Sequence, residues 1–321
     1  MKAAEDTSSP TALEQFRRDV AECLDRLPDK GLFLGLLVAW AALFHFLGNS
    51  TLGYFKTSSI FGWLRAIYIT SADEGHIVLI PVVVLALFWW KRKTLLDGPK
   101  GVWWPALGLV VLALLLHLAG FIIQQTRLSI VAFFLGLYGL TGLVWGRHWL
   151  RNSFFPFFLF IFCIPGTAIA EPVTFQLRLF VAQIVTVISH GLGIGVIRDG
   201  TQLFNLQHTF GYDVAPACSG IRSLISLLAL TTVYGFVIFR SPRKRLLMAI
   251  MAIPLAVLGN VTRLTFVIIT AETMGQDAGA WVEQKFGFVT FAVAIGCVAL
   301  LGHWLREPAP DAAPPPTNHR A

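Results

Sequence analysis

Cys218 lies in the run Pro216-Ala217-Cys218-Ser219-Gly220-Ile221-Arg222-Ser223, where a polar stretch opens into a long apolar segment. A thiol at a helix start beside a fixed cation is an activated nucleophile, because the helix N-terminus and the cation both favour the thiolate. Arg222 follows Cys218 by four residues and shares its helix face. A second arginine, Arg263, sits inside another apolar run as Gly259-Asn260-Val261-Thr262-Arg263. An arginine at membrane depth is costly, so pairing or function is the default expectation. Arg263 can hold the thiolate or stabilise the oxyanion formed when a carbonyl is attacked. Arg222 reads equally well as a structural partner for a carboxylate or loop carbonyls. Asn260 and Thr262 are placed to align Arg263 or to cap a helix break near Gly259, and Pro254 adds to the expected bend.

Acyl transfer through a thiol also needs a proton donor for the leaving amine. His208, ten residues before Cys218, is one candidate; His190 and His76 are others, and each also reads as an interfacial polar residue. The remaining cysteines, Cys23, Cys163 and Cys297, stand far apart with no CxxC pair and read as packing residues. The histidines and cysteines form no metal-ligand spacing, and no glycine loop precedes a helix to cradle a phosphate. The expected chemistry uses no cofactor and no metal.

These residues must be positioned by membrane helices. The chain has 321 residues, 55% of them hydrophobic and only 13% charged, with 10 Trp and 26 Phe. Its mean hydropathy is +0.68. Repeated apolar runs bounded by short charged clusters are what a bilayer demands. The expected fold is therefore an all-α polytopic transmembrane bundle. About eight spans are expected, near 31–49, 76–90, 104–123, 128–146, 153–170, 219–239, 246–269 and 287–305. Residues 172–190 carry Gln176, Arg178, Gln183 and His190, and are expected to form an interfacial or re-entrant helix. Residues 1–30 read as a cytosolic segment, 31–305 as the integral membrane domain and 306–321 as a disordered Pro/Ala tail.

The net charge of +7 is gathered in Lys91 to Lys93, Arg147 to Arg151 and Arg240 to Arg245, next to apolar runs. That placement is a topology signal and not a nucleic-acid footprint. With the N-terminus inside, all three clusters and Arg306 fall on the inner side, and Cys218, Arg263 and the segment 272–286 fall at the outer leaflet. Extended stretches are expected around Phe204 to Phe210 and Gly211 to Val214, leading to Pro216 and the Cys218 helix.

On these residues the chain resembles the exosortase/archaeosortase family of membrane-embedded cysteine transpeptidases. The resemblance rests on Ala217-Cys218-Ser219-Gly220-Ile221-Arg222-Ser223-Leu224 and on Asn260-Val261-Thr262-Arg263-Leu264. Gly75-His76 at the start of a span, and the Phe157 to Pro165 run followed by Pro172, add to it. It implies that Cys218 attacks a peptide bond in a C-terminal sorting signal of Pro-Glu-Pro type. An acyl-enzyme forms, and the membrane-anchored secreted protein passes to a polysaccharide or lipid acceptor. It also implies a bacterial inner-membrane location with the site on the periplasmic side. Arg222, Asn260, His76 and Ser219 would support the site. One departure stands out: the family usually carries a His four residues before a Gly at the outer start of the last span, and Gly287 has Glu283 there. Glu283 is then expected to act as the acid, or to orient His208 for that role.

Two other readings use the same residues. A membrane acyltransferase would employ Cys218 on a lipid or acyl substrate, whereas a scaffold for export or polysaccharide assembly would not need the thiol at all.

Overall fold

The structure is a computed structural model that describes residues 11–51, 54–70, 77–207, 211–213 and 220–307. The chain divides into two compact units, residues 1–165 and 166–321. Both are built almost wholly from helices, as the hydropathy pattern requires: a helix satisfies its own backbone where no water is present.

The first unit opens with α1 (Ala12–Asp25), started by a capping box in which the Thr11 hydroxyl accepts from the Glu14 amide and the Glu14 carboxylate accepts from the Thr11 amide. Then come α2 (Lys30–Leu47), α3 (Ile60–Thr70), α4 (Leu79–Trp90), α5 (Arg92–Asp97), α6 (Leu107–Ile122) and α7 (Thr126–Phe158), which runs into a 3-10 turn at Leu159–Cys163. Helices α2 and α6 are each long and apolar enough to cross a bilayer. The apolar helix α3 was not anticipated from the sequence.

Although helical geometry runs almost unbroken from residue 126 to 163, this stretch is a hairpin and not one long span. Gly146 has φ 92° and ψ 178°, a backbone that reverses the chain there. In a straight helix Tyr138 and Leu150 would stand about 18 Å apart. Instead the Tyr138 hydroxyl donates to the Leu150 carbonyl at 2.9 Å, and the Phe134 ring stacks on Phe160 with centroids 4.2 Å apart. The two arms match the apolar runs expected at 128–146 and 153–170, with Arg147 to Arg151 beginning the second. That arm ends earlier than expected, because Ile164 turns extended (φ −83°, ψ 120°). The cause is Pro165, whose ring disfavours helical geometry in the residue before it.

The clusters Lys91 to Lys93 and Arg147 to Arg151 gather at one end of this unit. Lys91 Nζ donates to the Asn152 carbonyl at 2.8 Å and Arg92 pairs with Asp19 of α1 at 3.1 Å. His148 Nε2 donates to the Thr94 carbonyl, and Trp145 Nε1 to the Pro28 carbonyl.

The second unit holds α8 (Thr167–Gly191), the strands β1 (Val196–Asp199), β2 (Gln202–Asn205) and β3 (Gly211–Asp213), and then α9 (Gly220–Ile238), α10 (Pro242–Ile250), α11 (Ala252–Met274) and α12 (Gln276–Trp304). The strands form an antiparallel meander in the order β1-β2-β3. Strand β3 falls where extended chain was expected, β2 overlaps the expected stretch 204–210 only at Phe204 and Asn205 because the chain turns at 206–207, and β1 was not foreseen. Residues 171–191 of α8 are of spanning length and composition, and so is the α10–α11 stretch Pro242–Met274.

Helices α8 and α11 run side by side in the same direction. Val181, Ala182 and Val185 of the one share a buried cluster with Val261, Leu264, Val267, Ile268 and Ala271 of the other. Between lipid-immersed helices there is no water to expel, so close fit carries the association, and the small Ala182 and Ala271 allow it. Gly275, with φ 95°, turns α11 back into α12. The cluster Arg240 to Arg245 lies at one end of this unit, where the Arg240 and Ser241 amides donate to the Glu307 carboxylate, each at 3.0 Å, and Lys244 Nζ donates to the Leu305 carbonyl. The sheet and the Gly275 turn lie at the other end.

Candidate active site

Strand β3 ends at Asp213 and α9 begins at Gly220. The connecting residues 214–219, which carry Cys218 and Ser219, lie outside the described residues, as do His208 and His76. Their flanks are described. The sheet that leads toward the connection is fastened by Val196 and Leu203, both buried in the cluster shared by α8 and α11. His190 Nε2 adds a hydrogen bond of 2.8 Å to the Val196 carbonyl. That histidine therefore has a structural task. Arg222 is placed by its backbone in the first turn of α9.

Arg263 lies eighteen residues beyond Arg245 on the nearly continuous α10–α11 path, a rise of about 27 Å, close to the ~30 Å depth of a hydrocarbon core. With the basic cluster at one interface, the guanidinium falls near the other. Its Nη2 donates to the Glu283 carbonyl of α12 at 2.6 Å. Its Nε is buried and has no hydrogen-bond partner among the described residues. Arg263 is thus anchored at one edge of its fork while another donor remains unused. The structure brings two sequence-predicted residues together, but through the main chain of Glu283.

Asn260 sits one turn earlier on α11 and lines a small cavity together with Thr174, Arg178 and Val181 of α8, Leu224 of α9, and Val257. Leu224 follows Cys218 by six residues, so this cavity lies one turn along α9 from its start. A second cavity, of about 220 Å³, runs between α11 and α12, lined by Gly259, Thr262, Phe266, Val289 and Cys297 among others.

A family model described as "Transmembrane exosortase (Exosortase_EpsH)" matches residues 63–300. The chain belongs to the transmembrane exosortase family. Comparison with curated proteins and with solved structures gives no match. The matched stretch takes in Arg263, Glu283, Asn260 and the Cys218 connection. Membership brings with it a membrane transpeptidase role in general and a multi-pass membrane location.

One residue of this exosortase was underread in the sequence. In the sequence Arg178 reads as one polar residue of the 172–190 segment; in the structure it is 7% exposed and takes Glu171, two turns earlier on α8, as its ion-pair partner. Its Nη2 donates to the Glu171 carboxylate, while its Nε is buried without a partner. The signal was available: an arginine inside an apolar helix seven residues after a glutamate puts both on one face.

Proposed function

We propose that this exosortase is a cysteine transpeptidase that cleaves C-terminal sorting signals of Pro-Glu-Pro type through an acyl-enzyme on Cys218. The observation that carries the reading is the anchored guanidinium of Arg263, with a buried Nε donor that has no partner among the described residues, in the unit whose sheet and α9 flank the Cys218 connection.

In this reading the Cys218 thiolate attacks the scissile carbonyl carbon, and Arg263 first favours the thiolate and then the oxyanion. The carbon–nitrogen bond breaks, a thioester forms, and the amine leaves with a proton supplied by Glu283 or His208. A hydroxyl or amine of a polysaccharide or lipid acceptor then attacks the thioester, its proton passes to the same group, now the base, the carbon–sulfur bond breaks, and the Cys218 thiolate is restored. Arg222, Asn260, Ser219 and His76 support the site. The reaction takes place at the outer leaflet of the bacterial inner membrane, and the substrate's basic tail stays on the cytosolic side.

The test is processing of a tagged protein bearing such a signal, in cells carrying wild type, Cys218→Ala, Arg263→Ala, Glu283→Gln or His208→Ala. Loss of processing with the first two substitutions is expected, and whichever of the last two abolishes it identifies the acid. Normal processing by Cys218→Ala would sink the assignment and favour the scaffold reading.

A further inference from the structure

We propose that Arg178 is a second working arginine of this exosortase, a positioning residue whose free Nε–H holds a single acceptor oxygen in the cavity shared with Asn260 and the first turns of α9. The proposal rests on the catalytic role of Cys218 put forward above.

Arg178 carries a full charge in a helix of spanning composition, and that charge is neutralised by Glu171 on the same helix. The Glu171 side chain is about half exposed while the guanidinium is buried, so pairing with Glu171 does not by itself account for drawing the guanidinium inward. The guanidinium does more than pair. Its Nε is buried with no partner among the described residues, and a buried donor left unmade calls for an explanation. The cavity that Arg178 lines has mostly apolar walls in which Asn260 and Thr174 are the other polar residues, and Leu224 ties it to α9.

The cavity measures about 10 Å³. Space of ~10–15 Å³ admits one oxygen-sized atom, the smallest room a water needs. The ligand is therefore one acceptor oxygen, either of a buried water or of a carbonyl or carboxylate on the substrate chain. Asn260 lies one turn from Arg263 on α11, so an oxygen held between Arg178 and Asn260 fixes α8 against α11 directly below the catalytic arginine.

The experiment uses the full-length protein in nanodiscs and compares wild type, Arg178→Lys, Cys218→Ala and the double variant Glu171→Met/Arg178→Met. The double variant removes both charges together, so no unpaired charge is left to unfold α8; monodisperse elution and an unchanged thermal midpoint check this. Two readouts follow: kcat and KM for a tagged signal peptide, and the pH profile of Cys218 alkylation followed by peptide mass spectrometry. The expected result is a folded double variant with kcat/KM reduced at least ten-fold, and Arg178→Lys reduced nearly as far because an ammonium has no Nε fork. If the oxygen belongs to the substrate, KM rises and the alkylation profile stays put. If it belongs to a water, kcat falls and the alkylation profile moves. A folded double variant with wild-type kcat, KM and alkylation profile overturns the proposal, while an active Cys218→Ala overturns the transpeptidase reading instead.

Discussion

Arg263→Lys isolates what the guanidinium does, because it keeps the positive charge and removes the fork. In the structure Nη2 donates to the Glu283 carbonyl at 2.6 Å, while Nε has no partner among the described residues. A guanidinium does two jobs from fixed positions; an ammonium is a compact point charge on a flexible stem. The lysine can therefore hold the carbonyl or face the reacting sulfur, but it cannot do both with the same geometry. Losing one hydrogen bond to a charged donor removes about 1.5–3 kcal/mol. Taken from the transition state, that is roughly a 10- to 150-fold fall in kcat. Little change in KM is expected, since the lost contact acts on the oxyanion and not on the bound substrate. Arg263→Met, which also removes the charge, should lower kcat further. The assay is single-turnover cleavage of a tagged signal peptide by protein in nanodiscs, paired with Cys218 alkylation across pH. For Arg263→Met the alkylation midpoint should rise, because the cation that favours the thiolate is gone. A folded Arg263→Lys that cleaves at the wild-type rate would refute the forked role, and an unmoved alkylation midpoint in Arg263→Met would refute the electrostatic one.

Gly146→Ala should destabilise the protein by about 1–3 kcal/mol, since its backbone lies in territory nearly closed to other residues. The new Cβ would also stand 2.9 Å from the Gly101 carbonyl oxygen. A lowered thermal midpoint checks this against Gly31→Ala, where the added methyl meets open space. Leu203→Ala removes a side chain that is 1% exposed in the cluster under the sheet. The loss should be about 2–5 kcal/mol, and limited proteolysis should open the segment 196–213 before the helices. The third concerns Glu307, whose carboxyl is held below its ordinary value of 4.5 chiefly by the Ser241 and Arg240 amides. A lowered value means that its contribution is complete above pH 4.5 and fades as pH falls through the lowered value. The thermal midpoints of wild type and Glu307→Gln should therefore differ at pH 6 and draw together as the pH falls below 4.5; a gap that does not narrow with acid would contradict the assignment.

Much of this architecture was legible in the order of residues, for reasons of solvation. Apolar runs of sufficient length must become helices in a bilayer, and clusters such as Arg147 to Arg151 and Arg240 to Arg245 must sit at their ends. The runs at 128–146 and 153–170 stood apart in the sequence, and the structure keeps them as two arms. Arg263 was visible as a charge in the wrong solvent, which is a local property, whereas Arg178 read only as one polar residue of an interfacial segment. Helix α3 and strand β1 were not legible, because short segments owe their form to what they pack against. Strand β1, for example, depends on the Val196 contact with α8 and α11.

What only the tertiary structure decided is which group answers each buried charge. Arg263 stands twelve residues before Gly275 and Glu283 eight after it, so simple pairing across the turn would not match them. The length of the arginine side chain closes the difference, and the partner is a carbonyl, which any residue at position 283 would present. Likewise the cavity of Arg178 and Asn260 exists because α8 and α11 run in the same direction with one fixed offset. The cost of a buried charge is set by its own chemistry, and so can be read one residue at a time. The identity of its partner is set by the register between helices, which no single segment contains.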